Sequence, residues 1–347
     1  MKKYKIMVGI FGIESFTTYL INILRSKHFS ITALWDKDLA TASNLAQKLS
    51  IPFYSDDYDE VIIRKDIDLI IVFTAPHFLI PISTRAVSIG KHVICNFCAS
   101  PDRLEMSGIM EAGEYYPQLL SMPFNPYRFD DSITLLRDHL DDVGDPLYIR
   151  VTLSCHTFVS NSRYDWKCET SMGGGVLNIH ASHIIDIVGY IIAGKPVKVF
   201  GSLLRQKVVH SDTMATFEMV MDTDLHVFVT ISAFLESKVS NLEFIVSGSR
   251  GYLSLRGNNL FRWIYGESEE TCLSRRCVRT DSEEFNLCLS NMTNSLYDMF
   301  IYNEEQRKIT YQANENIPNF IDMGNTSAVI NAIRMSDNTR RFLNVEY

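Results

Sequence analysis

The sequence has no long hydrophobic run and no dense block of basic residues. Its longest apolar stretches, such as 69–73 and 187–193, fall well short of the roughly 20 residues that a membrane-spanning helix needs. The chain carries 33 basic and 41 acidic side chains, a net charge of −8, and so lacks the basic surface that usually accompanies nucleic-acid binding. We therefore predict no membrane span and no nucleic-acid partner, which leaves small molecules and proteins as partners.

The cysteines are also sparse and irregularly placed. They number seven, an odd count, without the dense spacing of a secreted disulfide scaffold. This usage predicts a reducing compartment, the cytoplasm. Secretion stays open, because three N-terminal lysines precede the apolar stretch 6–13 as in a signal peptide, although two glycines break that stretch and no cleavage site follows it.

The 347 residues are 46% hydrophobic, a length and composition typical of about two globular domains. Short apolar runs alternate with amphipathic stretches up to residue 95, which predicts βαβ units. Beyond residue 147, strands separated by tight turns predict a large, open, mostly antiparallel sheet with an inward helix at 175–192. The predicted fold is α/β, with a doubly wound parallel Rossmann sheet in a dinucleotide-binding domain at 1–122 and a C-terminal α/β substrate or dimerisation domain at 123–347.

The turn after the first predicted strand contains glycines, as a dinucleotide fold requires where the backbone approaches a pyrophosphate. Gly9 and Gly12 are present, but Glu14 stands where the glycine of closest approach is expected. A carboxylate there weakens phosphate binding unless it points away or pairs with a cation. The alternative role for the two glycines is tight strand-to-helix packing. The cofactor-binding residues predicted in this turn are Gly9, Phe11, Gly12, Ile13 and Glu14.

The second predicted strand ends at Trp35-Asp36-Lys37. An acid at this position accepts hydrogen bonds from the ribose hydroxyls and repels a 2′-phosphate. Asp36, with Lys37 beside it, therefore favours NAD as the cofactor, with NADP possible. The alternative for Asp36 is a turn residue before the next helix.

Several segments together resemble the Gfo/Idh/MocA family of NAD(P)-dependent oxidoreductases, and within it an animal subgroup. The resemblance runs nearly end to end. It implies an N-terminal Rossmann domain, a C-terminal sheet that often forms homodimers, and hydride transfer at a sugar or polyol hydroxyl. The segments that carry it are Val8-Gly9-Ile10-Phe11-Gly12, Ala33-Leu34-Trp35, Ile51-Pro52-Phe53-Tyr54, Gly90-Lys91-His92-Val93-Ile94-Cys95, Tyr164-x-Trp166-x-Cys168, Met172-Gly173-Gly174-Gly175, Ile184-Ile185-Asp186 and Val246-Ser247-Gly248-Ser249-Arg250-Gly251.

The same resemblance marks where the chemistry departs from the family. Family enzymes place a Glu-Lys-Pro tripeptide after the strand that ends at Cys95, with the lysine on the reacting hydroxyl, and Phe97 stands at the lysine position. A family aspartate and histidine four residues apart correspond to Ile179 and His183. Only the histidine survives, so His183 is the candidate general acid or base, the alternative being a satisfied polar residue without a catalytic role.

Further residues are assigned by the resemblance or by their place in the fold. His180, His183 and Asp186 are spaced to form a polar row on one helix face. Arg128 is expected to pair with an acid or a substrate oxygen, or to serve a structural role at a helix start. The remaining candidates are Tyr164 for catalysis, Trp166 with Arg128 and Ile179 for the substrate pocket, and Thr74, Ala75, His77, Asn96 and Phe97 for the cofactor.

Cys95 and Cys98 form a CxxC pair. Zinc needs about four ligands, and no second pair lies at suitable spacing, while Cys95 ends a predicted buried strand rather than starting a helix. We read the pair as coincidental and predict no metal site. Two functional hypotheses follow: an NAD(P)-dependent oxidoreductase acting on a carbohydrate-like substrate, or a non-catalytic pseudoenzyme that binds a dinucleotide or a protein partner.

Overall fold

The computed structural model describes residues 5–99, 103–158, 165–207, 209–233, 240–276, 280–306 and 317–347. The chain divides into two compact units. The first contains the chain up to Asn125 together with Asn286–Gly324, and the second contains Pro126–Phe285 and Asn325–Tyr347. The first domain was predicted at 1–122 and the second at 123–347, a division without the return of the chain to the first unit. Residues from the later segment cover the first unit, where the Phe300 ring packs edge-on against Phe29 and His92 at centroid distances of 6.3 and 5.1 Å.

The first unit contains a six-stranded parallel sheet in the order β3-β2-β1-β4-β5-β6. This is the doubly wound order of a dinucleotide-binding fold, which confirms the predicted fold class. All four residues of β4 are buried, as expected for a strand covered on both faces. The elements are β1 (Ile6–Phe11), α1 (Thr17–Ser26), β2 (Phe29–Trp35), α2 (Leu39–Leu49), β3 (Phe53–Ser55), α3 (Tyr58–Ile62), β4 (Leu69–Val72), α4 (Pro76–Ser88), β5 (His92–Asn96), α5 (Arg103–Tyr115) and β6 (Ser121–Phe124).

The second unit is built on a nine-stranded sheet in the order β14-β13-β12-β11-β7-β10-β9-β8-β15. Among the described strands, β7 and β10 pair in parallel and every other neighbouring pair is antiparallel, which confirms the predicted, mostly antiparallel sheet. The elements are α6 (Asp131–Asp138), β7 (Pro146–Ser154), α7 (Ser182–Ile192), β8 (Pro196–Leu204), β9 (Met214–Met221), β10 (His226–Ser232), β11 (Asn241–Gly248), β12 (Gly251–Arg256), β13 (Asn259–Ile264), β14 (Thr271–Ser274), α8 (Asp281–Gln306), α9 (Phe320–Thr339) and β15 (Leu343–Asn344).

Burial alternates along the central strands of this second sheet, so that one face is buried and the other is at least partly exposed. Helix α7 is largely buried and follows a π-helical segment, Leu177–Ala181. The stretch Thr170–Ile192 is long and apolar enough to cross a membrane by length and composition alone, but 72% of its apolar window is buried inside the structure. It therefore packs as a core element of this unit.

Candidate functional site

The first candidate site lies where β1, β2 and β4 end. The backbone N–H of Gly12 donates to the carbonyl of Trp35 at 2.9 Å, and the N–H of Phe73 donates to the carbonyl of Phe11 at 2.8 Å. β1 lies between β2 and β4, where the order of connections in the sheet reverses. Open α/β sheets bind ligands in the crevice at this reversal.

The turn after β1 requires a glycine at Gly12. Its φ is +92°, and a Cβ built on it would lie 2.0 Å from the carbonyl oxygen of Phe73 and 3.2 Å from Cβ of Thr74. Neither the backbone conformation nor the space admits a side chain. Gly9 differs, because it lies within β1 and its Cβ would lie 3.1 Å from Cδ1 of Ile67. Gly12 thus shapes the loop, whereas Gly9 makes room for core packing.

Asp36 is held at the end of β2 by two backbone groups. Its Oδ2 accepts a hydrogen bond from the N–H of Ile13 at 3.0 Å, and its Oδ1 accepts one from the N–H of Asp38 at 3.0 Å. Each carboxylate oxygen can accept a second hydrogen bond. The side chain is therefore fixed to the glycine turn and retains capacity for ribose hydroxyls.

The backbone at the start of α1 is arranged around Thr17. Its hydroxyl accepts a hydrogen bond from the N–H of Glu14 at 2.9 Å. The N-cap residue is Phe16, whose side chain cannot accept from the first amides of α1, and the N–H of Thr17 donates to the carbonyl of Glu14 at 3.0 Å. In dinucleotide folds the pyrophosphate binds at a helix start in this position. The turn, Asp36 and this helix start fit the adenosine and pyrophosphate parts of a dinucleotide.

Thr74, Ala75 and His77 follow β4 beside this turn. Ala75 is the N-cap of α4, and the exposed His77 contacts the ring of Phe78 at a centroid distance of 4.4 Å. Partial burial, with a contribution from the positive charge of Lys37, lowers the pKa of His77. Lys37 and His77 are thus close enough to interact electrostatically, and His77 is neutral near pH 7.

Asn96 ends β5, and Phe97 follows it into the core. Phe97 is 4% exposed and belongs to the buried cluster that includes Cys98, Met106 and Ile109. The position at which the resemblance expects a lysine is therefore a packing position in this chain. Its ring contributes to the stability of the first unit, and its side chain has little surface left for a cofactor.

The two cysteines of the CxxC pair are buried in the same cluster. Burial raises the pKa of the Cys95 thiol well above its usual value, and burial together with Glu105 raises the pKa of Cys98 to about 12. Thiolate chemistry is therefore suppressed at both positions. Among the residues that the structure describes, no group of three or more His, Cys, Asp or Glu side chains is placed to hold a metal ion.

The second candidate site is organised by the triple glycine of the second unit. Gly173 and Gly175 have φ of +83° and +100°. A Cβ on Gly174 would lie 2.3 Å from the carbonyl oxygen of Lys167, and one on Gly175 would lie 2.3 Å from Oδ1 of Asp212. The three glycines therefore allow two close approaches, one to Lys167 and one to Asp212.

Asp212 fixes the start of the π-helical segment. Its Oδ2 accepts from the N–H of Leu177 at 2.8 Å, and its carbonyl accepts from the N–H of Val176 at 3.0 Å. Arg334 donates to Oδ1 of Asn178 at 3.0 Å from α9. These contacts set the direction of the residues that follow, among them Ile179 and His180.

A cavity of about 480 Å³ opens beside this segment, within the second unit. Its walls are mixed: apolar residues lie beside several charged and polar side chains. Ile179, at the position of the missing family aspartate, is one of the lining residues. The lining residues with polar or charged side chains include His156, Thr157, Lys167, His180, Ser240 and Asp281.

The two histidines of this region are neutral near pH 7. Burial lowers the pKa of His180 to about 3, with smaller contributions from His183, Lys167 and His156, and burial lowers the pKa of His183 to about 4. Nε2 of His180 lies 2.6 Å from the hydroxyl oxygen of Thr157. The ring of His183 packs edge-on against Tyr127 at a centroid distance of 6.4 Å.

The polar row expected from helical spacing takes a different form. Asp186 is engaged by Arg128, whose Nε and Nη2 donate to its two oxygens at 2.8 and 2.6 Å. His180 lies in the π-helical segment and His183 in α7, so the three residues do not follow the regular α-helical spacing on which the row was based. Of the roles foreseen for Arg128, pairing with an acid is the one seen here.

Tyr164 and Trp166 belong to the same Tyr-x-Trp-x-Cys motif. Tyr164 lies outside the described residues. Trp166 begins the short 3-10 helix Trp166–Cys168, which also contains two lining residues of the cavity, Lys167 and Cys168. Sequence reasoning missed Lys167, although it stands at a variable position inside the Tyr-x-Trp-x-Cys motif. Its charge was visible in that motif, but its proximity to Ile179 and His180 was not.

The comparisons with known proteins cover both units. Residues 6–97 match the oxidoreductase family with an NAD-binding Rossmann fold, and residues 136–254 match the GFO/IDH/MocA C-terminal domain. Human glucose-fructose oxidoreductase domain-containing protein 2 is 31% identical over 281 residues, covering 77% of this chain and 72% of the relative. Glucose-fructose oxidoreductase domain-containing protein 1 of Xenopus tropicalis is 31% identical over 268 residues, covering 73% of this chain and 67% of the relative.

The fold also matches solved structures over the whole chain. Levoglucosan dehydrogenase in complex with NADH and levoglucosan aligns with a TM-score of 0.84 at 15% identity, covering 99% of this chain and 100% of that one. A myo-inositol 2-dehydrogenase from Lactobacillus plantarum aligns with a TM-score of 0.78 at 17% identity, covering 99% and 100%. By its matched domains and its relatives, the chain belongs to the Gfo/Idh/MocA oxidoreductase family and has that family's NAD-binding Rossmann fold.

Proposed function

We propose that this protein is an oxidoreductase that transfers hydride between NAD and a secondary hydroxyl of a carbohydrate-like polyol. The observation that carries the proposal is the cavity of the second unit, which is lined by polar side chains of the kind that bind hydroxyls. Levoglucosan dehydrogenase and myo-inositol 2-dehydrogenase, which share the fold, act on compounds of this class by their names.

The dinucleotide is assigned to the glycine turn. Asp36 favours NAD, because its carboxylate accepts hydrogen bonds from the ribose hydroxyls and repels a 2′-phosphate. We therefore expect NADP to bind more weakly. Gly12, Thr74 and the first amides of α1 complete the binding surface. When bound there, a nicotinamide cofactor supplies the hydride acceptor for alcohol oxidation.

His183 lies in α7 just beyond the lining residues Ile179 and His180 and does not itself line the cavity; it is the proposed proton acceptor, with Tyr164 as a second candidate. Oxidation removes a hydride with its electron pair from the carbinol carbon and a proton from its oxygen, leaving a ketone. Burial lowers the pKa of His183 to about 4, so its imidazole is unprotonated near pH 7. It accepts the proton as the hydride leaves and the hydroxyl becomes acidic, and the proton passes to solvent when the product is released.

The first experiment is a fluorescence titration of cofactor-free protein with NADH and, separately, NADPH. We expect NADH to bind more tightly, and Asp36→Ala to weaken NADH binding by about tenfold while affecting NADPH less. Equal affinities would discard the role of Asp36 while leaving the fold assignment intact. Absence of binding to either nucleotide would contradict the proposal.

Turnover is tested with NAD⁺ and a panel of neutral polyols. His183→Ala should abolish reduction of NAD⁺, whereas His139→Ala, a histidine paired with Asp142, should leave it unchanged.

A second candidate function is favoured by the buried Phe97: a non-catalytic protein that binds the dinucleotide for a structural or regulatory purpose. That function predicts NADH binding without turnover for any polyol.

Two further proposals concern assembly and compartment. The partly exposed face of the nine-stranded sheet suits a homodimer interface, as the resemblance to the family implies. The cytoplasm stays the predicted compartment, because all six described cysteines are free thiols.

A further inference from the structure

Two positions at which the resemblance expects polar chemistry are apolar in this chain. Phe97 is a core residue, and Ile179 lines the cavity of the second unit. Oxidation of an alcohol builds negative charge on its oxygen, and a site without a nearby cation or strong donor stabilises that charge poorly. The cavity therefore needs another cation if it is to bind a reacting hydroxyl.

Lys167 supplies a cation to this cavity. Among the described residues that line it, Lys167 is the one lysine or arginine. Its Nζ lies 3.8 Å from Oδ2 of Asp165, which is beyond ordinary hydrogen-bond distance. The ammonium also lies 5.9 Å from the centre of the Trp166 ring. It is thus held loosely between a carboxylate and an aromatic face, and 36% of the side chain is exposed. It can turn toward a ligand without breaking a tight ion pair.

The backbone of Lys167 is held more firmly than its side chain. Its N–H donates to Oδ1 of Asp165 at 2.9 Å, and its carbonyl accepts from the N–H of Gly175 and the hydroxyl of Ser211, both at 3.0 Å. Gly174 packs against the same carbonyl, where any Cβ would collide. The triple glycine therefore fixes the origin of the Lys167 side chain at the cavity wall.

A hydrogen-bonding partner for a second hydroxyl lies on the same wall. His180 lines the cavity and is oriented by Thr157 at 2.6 Å, and the positive charge of Lys167 contributes to its lowered pKa. An ammonium donor and a neutral imidazole at neighbouring positions match the alternating donors and acceptors of adjacent hydroxyl groups.

We propose that Lys167 is the substrate-binding cation of this site, which contacts the reacting hydroxyl of a neutral polyol, with His180 binding a neighbouring hydroxyl. The proposal rests on the proposed oxidoreductase function and deepens it. The charge balance of the wall selects neutral ligands: Asp165 and Asp281 also line the cavity, so a phosphate or carboxylate on the sugar would face two acids and one lysine.

The test measures polyol binding and polyol turnover separately on the full-length protein with NADH or NAD⁺. Binding of levoglucosan, L-sorbose and myo-inositol is followed by calorimetry, with glucose 6-phosphate and glucuronate as anionic counterparts. We expect the neutral compounds to bind more tightly than the anionic ones. Lys167→Gln should weaken their binding by about tenfold or more, and Lys167→Arg should retain part of it.

The matched control is Lys198→Gln, an exposed lysine on β8 of the same unit, which should bind polyols as the wild type does. NADH affinity and melting temperature should be unchanged in every variant, which separates loss of a contact from loss of fold. If Lys167→Gln fails to fold, Lys167→Arg and a His180→Asn variant carry the comparison.

The outcomes separate this inference from the proposed function. Polyol binding that depends on Lys167 without any turnover supports the site and contradicts the oxidoreductase function. Turnover that Lys167→Gln leaves unchanged supports the function and overturns the inference. Absence of polyol binding to the wild type, or tighter binding of the anionic compounds, also overturns it.

Discussion

The guanidinium of Arg128 forms a bidentate ion pair with the carboxylate of Asp186, at 2.8 and 2.6 Å. Both side chains are nearly inaccessible, at 6% and 2% exposure, and the guanidinium also lies over the ring of Tyr190 at 4.9 Å. A buried charge of this kind is tolerated because its partner is fixed beside it. The pair connects the segment before α6 to the middle of α7.

Removal of one partner should therefore be costly. Arg128→Ala leaves the Asp186 carboxylate buried without its main counter-charge, and we expect a loss of about 3–5 kcal/mol in the free energy of unfolding. The double variant Arg128→Met/Asp186→Leu should recover most of that loss. Urea denaturation measures both. Arg85→Ala, which removes an exposed pair with Asp59, should change stability by less than about 1 kcal/mol; an equally small effect of Arg128→Ala would contradict this account.

Replacement of Phe97 by lysine should destabilise the protein rather than increase its activity. The position is 4% exposed, so the ammonium would enter an apolar cluster without a partner, at a cost of roughly 3 kcal/mol or more. Phe97→Leu keeps the position apolar and should cost less than about 1.5 kcal/mol. Thermal melting compares the two variants, and a stable Phe97→Lys protein with increased turnover would refute the packing role.

Glu284 should make the second unit less stable as the pH rises. Burial, together with the nearby Asp130, raises its pKa to about 7 from an ordinary value of 4.5. The folded state then binds this proton more tightly than the unfolded state, so the stabilisation is complete below pH 4.5 and is lost as the pH rises through 7. Glu284→Gln should raise the melting temperature at pH 8 by a few degrees and have little effect at pH 4.5. Glu283→Gln, the exposed neighbour, is the control, and equal shifts in the two variants would contradict the assignment.

The open face of the nine-stranded sheet should form a homodimer. Tyr148 on β7 and Phe228 on β10 are each 44% exposed and lie on the same face by strand register. Pairing of two such faces would remove both rings from water. Sedimentation should therefore give a dimer for the wild type and a monomer for Phe228→Glu, whereas Tyr54→Glu in the first unit should stay dimeric. A wild type that sediments as a monomer at micromolar concentration would argue against this interface.

The sequence was most informative where local pattern and tertiary burial agree. The βαβ units predicted up to residue 95 are present, as β1 and α2 illustrate, because a continuous buried strand and a capped amphipathic helix have clear signatures. Strand β3 and helix α3 were missed, since elements of three and five residues are too short for periodicity to reveal. The partly exposed strands β13 and β14 and the long helix α8 were missed as well.

The candidate site was less accessible to sequence reasoning. Asp36 and Gly12 follow from a motif, because strand ends and glycine turns are local features. Lys167 and Ile179 come together only through the triple glycine. The sequence alone does not predict the distance between two residues that such a turn brings together. Phe97 was recognised as a lost lysine, but its burial depends on α5 and the other elements that complete the cluster around it.

The π-helical turn at Leu177–Ala181 holds one more residue than a turn of the α-helix that follows it. The extra residue is accommodated within this turn, and the helix beyond it keeps its rotation. Removal of one residue here would convert the turn to α-helical geometry and move Ile179 and His180 relative to Asp212, while Asp186 would stay beside Arg128 and His183 beside Tyr127. The residues at the cavity can thus be repositioned without displacing the buried ion pair.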